Sequence, residues 1–188
     1  MSKPGVLTVI AAPTMFAGKS DSGDFICRRA EYKKIPVAKL THSADVRGGG
    51  VATSIRHSGL VTSGVTRVSE LGAFANDVVS GAQLIWIDEA QFFPDLCEAV
   101  SRWLASGKDV VVSGLYLDYN GCPWGKIMEC AAQHPLKEFI LLHADCTRCH
   151  SERSAMYCPR KVQGSDTVLV GGANEYDALC KDCYFNRE

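Results

Sequence analysis

The chain reads as an α/β protein, a mostly parallel sheet flanked by helices, carrying a small metal-held subdomain at its C-terminal end. Three observations predict this. Short apolar runs alternate with amphipathic segments; several runs are too uniformly apolar for a sheet wetted on one face; and from Asp145 onward the sequence turns polar and cysteine-rich, with two C-x-x-C pairs.

In order, Val6 to Ala11 is an all-apolar first strand, and Asp24 to Tyr32 the helix that follows it. Pro36 to Leu40 reads as the second strand, with helical spacing from Val68 to Ser80. Leu84 to Ile87 is a buried strand, Leu96 to Ala105 an amphipathic helix, and Val110 to Leu115 another strand. Gly125 to Ala132 reads as a helix and Phe139 to Leu142 as the last strand of the core. With 188 residues, 46% of them hydrophobic, the chain holds one good core and a small appendage. The expected division is an α/β core over 1–144 and a metal-bound subdomain over 145–188.

Charge and cysteines narrow the class. A net charge of −1 offers no broad basic surface, so a small-molecule partner is expected and neither nucleic acid nor membrane is. No apolar run reaches the length of a membrane span, and the N-terminal stretch has no A-x-A cleavage site, so a cytoplasmic chain is expected. Four of the nine cysteines form Cys146-x-x-Cys149 and Cys180-x-x-Cys183, which supply four thiolates to a tetrahedral zinc. With no open position, such a zinc is structural. Redox-active or merely buried thiols are the alternative. Cys27, Cys97, Cys122, Cys130 and Cys158 lack such pairing and read as ordinary thiols.

Two motifs carry chemistry. The first strand feeds Pro13-Thr14-Met15-Phe16-Ala17-Gly18-Lys19-Ser20 and then a helix, the setting of a phosphate loop: Lys19 for the β and γ phosphates, Ser20 for Mg²⁺, backbone N–H groups for the anion. Proline stands at residue 13, where the G-x-x-x-x-G-K-[ST] pattern has glycine, and read alone the letters also fit a plain G-K-S turn. The second motif is Ile85-Trp86-Ile87-Asp88-Glu89-Ala90-Gln91-Phe92-Phe93, a strand ending in two acids and two rings. Asp88 suits a metal and Glu89 proton chemistry at the carboxyl edge of the sheet; the two acids also suit helix capping, with Asp95 in competition. In the tail, Gly171-Gly172 permits a close backbone approach to a ligand, or simply a hairpin turn.

Taken together these residues resemble the type II thymidine kinases, the zinc-containing cytosolic and viral family, over nearly the whole chain. The resemblance rests on P-x-M-F-[SA]-G-K-[ST], a D-x-R at Asp45-Val46-Arg47, an H-x-G at His57-Ser58-Gly59, D-E-x-Q-F-F, Gly114-Leu115, both C-x-x-C pairs, and G-G-x-x-x-Y. It implies a P-loop-type core with a zinc-ribbon-like subdomain carrying a lasso loop. It also implies transfer of the ATP γ-phosphate to the 5′-hydroxyl of thymidine, with deoxyuridine as a further acceptor, and a homotetramer. Under it Glu89 resembles the family's general base. ATP and Mg²⁺ fall to Pro13 through Ser20 with Asp45, Arg47, Asp88 and Gln91. The thymidine pocket falls to Met15, Phe92, Leu115, Tyr119, Trp124 and Met156, with Thr167, Val168, Leu169, Val170, Gly171 and Tyr176 in the lasso.

The chain also departs from the family. The stretch Asp21 to Cys27 before Arg28-Arg29 reads as about three residues long beyond the family pattern, and it places Asp21 and Asp24 at an anion-binding helix start. Tyr116 replaces an aspartate after Gly-Leu, and Met156 or Tyr157 falls where the family keeps a small polar residue beside the thymine methyl. Pro13, Asp21 and Asp24 motivate the alternative of a catalytically impaired chain serving as a binding or structural subunit.

Overall fold

The computed structural model describes residues 3–45, 53–55, 61–72, 77–162 and 171–187. Among them, strands β1 (Leu7–Ala12), β2 (Val37–His42), β5 (Val65–Val68), β6 (Leu84–Asp88), β7 (Asp109–Leu115) and β8 (Leu136–Leu141) form one six-stranded sheet in the order β5-β2-β6-β7-β1-β8. Every pairing in it is parallel. Strands β3 (Thr53–Ile55) and β4 (Val61–Ser63) form a separate antiparallel pair.

Strand alternation sorts the two faces. Leu7, Val9, Ala11, Ile85, Ile87, Val110 and Val112 point into the larger core, covered by α2 (Leu96–Ala105) and α3 (Ile127–Gln133). Helix α2 is suited to that cover because Leu96, Cys97, Val100, Trp103 and Leu104 fall on one stripe. On the opposite face Ile10, Leu84, Trp86 and Val111 meet Cys27 and Ala30 of α1 (Lys19–Tyr32). Helix α1 turns mostly small residues inward, Gly23, Cys27 and Ala30, together with Asp24. At Gly23 an added Cβ would overlap the Trp86 indole, 2.7 Å from Cζ2 and nearer still to Cε2 and Nε1. The glycine therefore lets the helix lie directly on the ring.

The five predicted strands and the α2 helix stand where expected, with ends shifted by up to three residues. The expected helix from Val68 to Ser80 does not begin where expected: Val65–Val68 is the edge strand β5 and pairs with β2, and among the described residues beyond it 77–79 are helical. β-Branched Val65, Thr66 and Val68 favour the extended form, and sheet pairing outweighs the helical spacing beyond them. At the other edge β8 is exposed on most positions, with Leu136, Phe139 and Leu141 all in contact with solvent.

The tail from Asp145 is held by isolated bridges, Ala144 with Ala155, Tyr157 with Leu179 and Arg160 with Tyr176, and ends in the short helix α4 (Lys181–Phe185). Ala144, Ala155 and Ala178 form a third small core, and Phe16 and Ala17 of the loop after β1 pack on it.

Candidate active site

The carboxyl ends of β1, β2, β6 and β7 lie along one edge, since Ala12 registers with Leu115 and Thr41 with Asp88. That edge carries the two motifs. The loop after β1 makes its turn with positive φ at Phe16 (64°) and Gly18 (81°), so residue 13 needs none and proline is compatible there. No side chain caps the N-terminus of α1, and Lys19 Nζ folds back to the Thr14 carbonyl at 3.2 Å. The Thr14 hydroxyl is fully buried without a hydrogen-bond partner. Backbone N–H groups, an ammonium and an orphan hydroxyl on one loop make an anion site that fits a phosphate.

The two acids near that helix start have different surroundings. Asp24 turns inward to Arg28 Nε at 3.0 Å and Lys39 Nζ at 3.7 Å, and Lys39 also meets Glu31 at 2.9 Å. Asp24 is therefore committed to an ion cluster between α1 and β2 whose inner pair, Asp24 and Lys39, is buried while Arg28 and Glu31 reach solvent. Helix α1 runs without interruption from Lys19 to Tyr32, absorbing the length that the sequence assigns to an insertion.

Asp88 ends β6, buried, on the α1 face. The Ser113 hydroxyl lies 2.7 Å from its Oδ1, and the Ser20 side chain is a second hydrogen-bond partner. Burial, and then the charge of Glu89, push its carboxyl up to about 6, although both serine hydroxyls and a backbone N–H favour the ionised form. A buried carboxylate with an adjacent hydroxyl and a second acid nearby is a hard-oxygen donor set that fits a divalent cation.

Glu89 takes left-handed backbone angles (φ 52°, ψ 41°), uncommon for a residue with a side chain, and a 3₁₀ turn (Ala90–Phe92) follows. Adjacent acids thereby leave the strand in different directions. Gln91 fixes the second: its Nε2 donates to Glu89 Oε2 at 2.6 Å while its Oε1 accepts the Leu115 N–H at 3.0 Å. The turn lies so close to β7 that a Cβ on Gly114 would overlap Gln91 Oε1, and one on Gly125 would come within 2.6 Å of Gln91 Cα.

Beyond Glu89 stand the rings. Phe92 meets Trp124 edge-on with centroids 5.2 Å apart, and His42 stacks on its other side at 5.4 Å. His42 Nδ1 accepts the Ala44 N–H, leaving Nε2 as donor to the Ser69 carbonyl, so the ring is held in one neutral tautomer. Trp124 is brought there by a turn in which Asp118 Oδ1 accepts the N–H groups of Asn120 and Cys122. Leu115 is buried beside this group. The Arg160 guanidinium lies over the Tyr119 ring at 5.0 Å and over the Tyr176 ring at 6.0 Å. Tyr116 packs its ring against the main core.

Met15 meets the tail through its backbone N–H, which faces the buried Cys158 thiol; Met156, by contrast, is 42% exposed, its N–H bonded to the Leu179 carbonyl. Asp45 is buried, its carbonyl held by Arg67 Nε at 2.9 Å. Arg47, Thr167, Val168, Leu169 and Val170 lie outside the described residues, as does the His57-Ser58-Gly59 motif. Gly171 and Gly172 begin a turn closed by Glu175, whose Oε2 accepts the Gly172 N–H.

The Sγ atoms of Cys146, Cys149, Cys180 and Cys183 lie within 4.8 Å of one another, with Cys149 and Cys180 3.7 Å apart. The S–S edge of a tetrahedral zinc–thiolate site is about 3.8 Å, so the cluster fits that ion. Burial pushes the Cys146 thiol up, yet N–H donors from Cys149, Cys180 and Arg148 carry it down to about 6.

Sequence reasoning passed over Trp86, Ser113, His42, Cys158 and the close-packing glycines. For two of them a signal existed: counting back from Asp88 places Trp86 on its face, and Ser113 is the one hydroxyl in an otherwise apolar strand.

A family model described as thymidine kinase matches residues 5–184. The chain is similar to "Thymidine kinase, cytosolic" of Gallus gallus, 30% identical over 97% of this chain and 78% of that protein. It is likewise similar to "Thymidine kinase" of Porphyromonas gingivalis ATCC 33277 (32%, over 96% and 85%) and of Yaba monkey tumor virus (29%, over 98% and 97%).

Proposed function

From the fact that the chain belongs to the thymidine kinase family, we propose that it transfers the γ-phosphate of ATP to the 5′-hydroxyl of thymidine, with deoxyuridine as a second acceptor, and that Glu89 is the base for that hydroxyl. The observation that carries the assignment is the left-handed turn at Glu89, its carboxylate held by Gln91, at the sheet edge that also carries the loop after β1 and the Phe92–Trp124 rings. Asp88 and Ser20 would hold Mg²⁺, which when bound neutralises phosphate charge. Lys19, Thr14 and the loop N–H groups bind the phosphates, with Asp45 and Arg47 assigned to the same donor side. Gln91, expected on that side too, acts by orienting Glu89. Phe92, Leu115, Tyr119, Trp124, Met15 and the lasso from Thr167 to Gly171 with Tyr176 take the nucleoside. Zinc on the four cysteines would tie the base of that lasso, which lowers the entropy lost when it closes on the nucleoside.

Two of the residues that suggest an impaired subunit are compatible with an intact donor site: Pro13 sits where no positive φ is needed and Asp24 faces Lys39. A division near Asp145 and a cytoplasmic location accompany this reading, the latter supported by a thiolate cluster suited to a reducing compartment. Among the described residues no helix is long and apolar enough to cross a membrane. The exposed Leu136, Phe139 and Leu141 edge supports the proposed assembly as a homotetramer. The test is Glu89→Gln in an ATP-coupled assay: the rate is expected to fall by about 10²- to 10⁴-fold while equilibrium thymidine binding persists. Loss of thymidine binding in step with the rate would remove Glu89 from the chemical step.

A further inference from the structure

We infer that Trp86 and Ser113 are positioning residues for Asp88, forming a hydrogen-bond relay that fixes the plane of its carboxylate toward the divalent cation. This rests on the reading of Asp88 as a metal ligand. Asp88 and Trp86 are two residues apart on β6 and so share the α1 face, where Ser113 of the neighbouring β7 joins them. Trp86 Nε1 lies 2.8 Å from Ser113 Oγ, and that oxygen lies 2.7 Å from Asp88 Oδ1; all three residues are buried.

The chemistry fixes the direction of the relay. An indole nitrogen only donates, so the serine oxygen accepts there. Its single proton then goes to Asp88 at 2.7 Å in preference to the Ile87 carbonyl at 3.3 Å. A hydroxyl is a free rotor until one of its sites is taken, and the indole takes it. Oδ1 is thereby committed to the sheet interior, and the carboxylate is oriented before any ligand arrives. A wall of the same bulk without an N–H would fill the space equally well, yet α1 gives up a side chain at Gly23 to admit this ring. Partners of metal-ligating carboxylates typically change metal affinity by about 10- to 100-fold.

The test is manganese(II) binding to the full-length, zinc-replete protein with saturating ATP, read by electron paramagnetic resonance, with thymidine affinity measured in parallel. Asp88→Asn is expected to abolish the protein-dependent manganese site. Ser113→Ala should weaken it by about tenfold and Trp86→Phe by about threefold, with thymidine affinity unchanged. The double variant, which also removes the orphaned indole N–H should Ser113→Ala alone fold poorly, should bind no worse than Ser113→Ala. Additive losses of about 30-fold in the double variant would mean that the indole does not act through Ser113, overturning the relay. Wild-type manganese affinity in the Ser113→Ala and double variants, with Asp88→Asn still deficient, would reduce the pair to core satisfaction and also overturn it. Wild-type affinity in Asp88→Asn would instead remove the metal reading on which the relay stands.

Discussion

A single methyl group placed at Gly114 should disable the candidate base without touching it. An alanine Cβ there overlaps Gln91 Oε1, stands 2.6 Å from Ile127 Cδ1 and 3.1 Å from the backbone nitrogen of Ala90. Ile127 is fully buried at the start of α3 and the Ala90 nitrogen belongs to the 3₁₀ turn, so the group that yields is the Gln91 carboxamide. Moving it strands the buried Leu115 N–H, costing about 1–3 kcal/mol, on top of about 1–3 kcal/mol for overpacking. A loss of about 3 kcal/mol lowers Tm by about 6–12 °C in a chain of this size. Glu89 loses its 2.6 Å partner in the same event, and an ångström of misplacement costs about a hundredfold in rate. Gly114→Ala is therefore expected to show a kcat about 10- to 100-fold down at a temperature where the variant is still folded, with the KM for ATP nearly unchanged because the phosphate loop is untouched. Differential scanning calorimetry with steady-state kinetics reads both effects. A variant that loses stability but keeps wild-type kcat would show that the Gln91–Glu89 bond does not position the base.

Two further outcomes follow from the same geometry. Chelating zinc, or Cys180→Ser, should raise the KM for ATP as well as for thymidine by about tenfold, since Phe16 and Ala17 lose their packing on Ala144, Ala155 and Ala178, contacts worth about two buried methylenes. Kinetics before and after zinc restoration check this, and an ATP KM indifferent to the metal would dissociate loop from tail. For Asp88, the folded carboxyl binds its proton more tightly than the unfolded one, rising from 3.8 to about 6. Stability contributed by this group is present below about pH 4 and is lost as pH rises to 6 and beyond, by about 3 kcal/mol at most. In metal-free protein Asp88→Asn should thus gain on the wild type between pH 4 and 7 in urea titrations; a difference independent of pH would contradict the assignment.

Much of this is legible in the letters because it depends on short-range pattern. The apolar runs locate five strands, G-K-S and D-E-x-Q-F-F sit at the ends of two of them, and the cysteine spacing locates the thiol cluster. The failures are long-range. Val65–Val68 is hidden because an edge strand is stabilised by its neighbour β2 as much as by its own composition. Asp24 looks like a threat to phosphate binding because only the packing of α1 on β2 brings Lys39 to it. Met156 and Cys158 differ by two positions, yet one is exposed and the other buried, an outcome set by how the tail meets the loop after β1. The bond from Gln91 to Glu89 is likewise invisible in the letters, because it depends on the left-handed angles at Glu89.

The contact between Gly23 and the Trp86 ring constrains how this sequence can drift. Any side chain arriving at residue 23 before the indole is gone collides with it, while trimming Trp86 first empties a filled core position at about 3–5 kcal/mol. Each change is harmful alone, although a chain with a bulkier residue 23 and a small residue 86 fills the same space. The two positions therefore form an epistatic pair: in a lineage descending from this chain they are expected to be retained together, or to exchange bulk in concert.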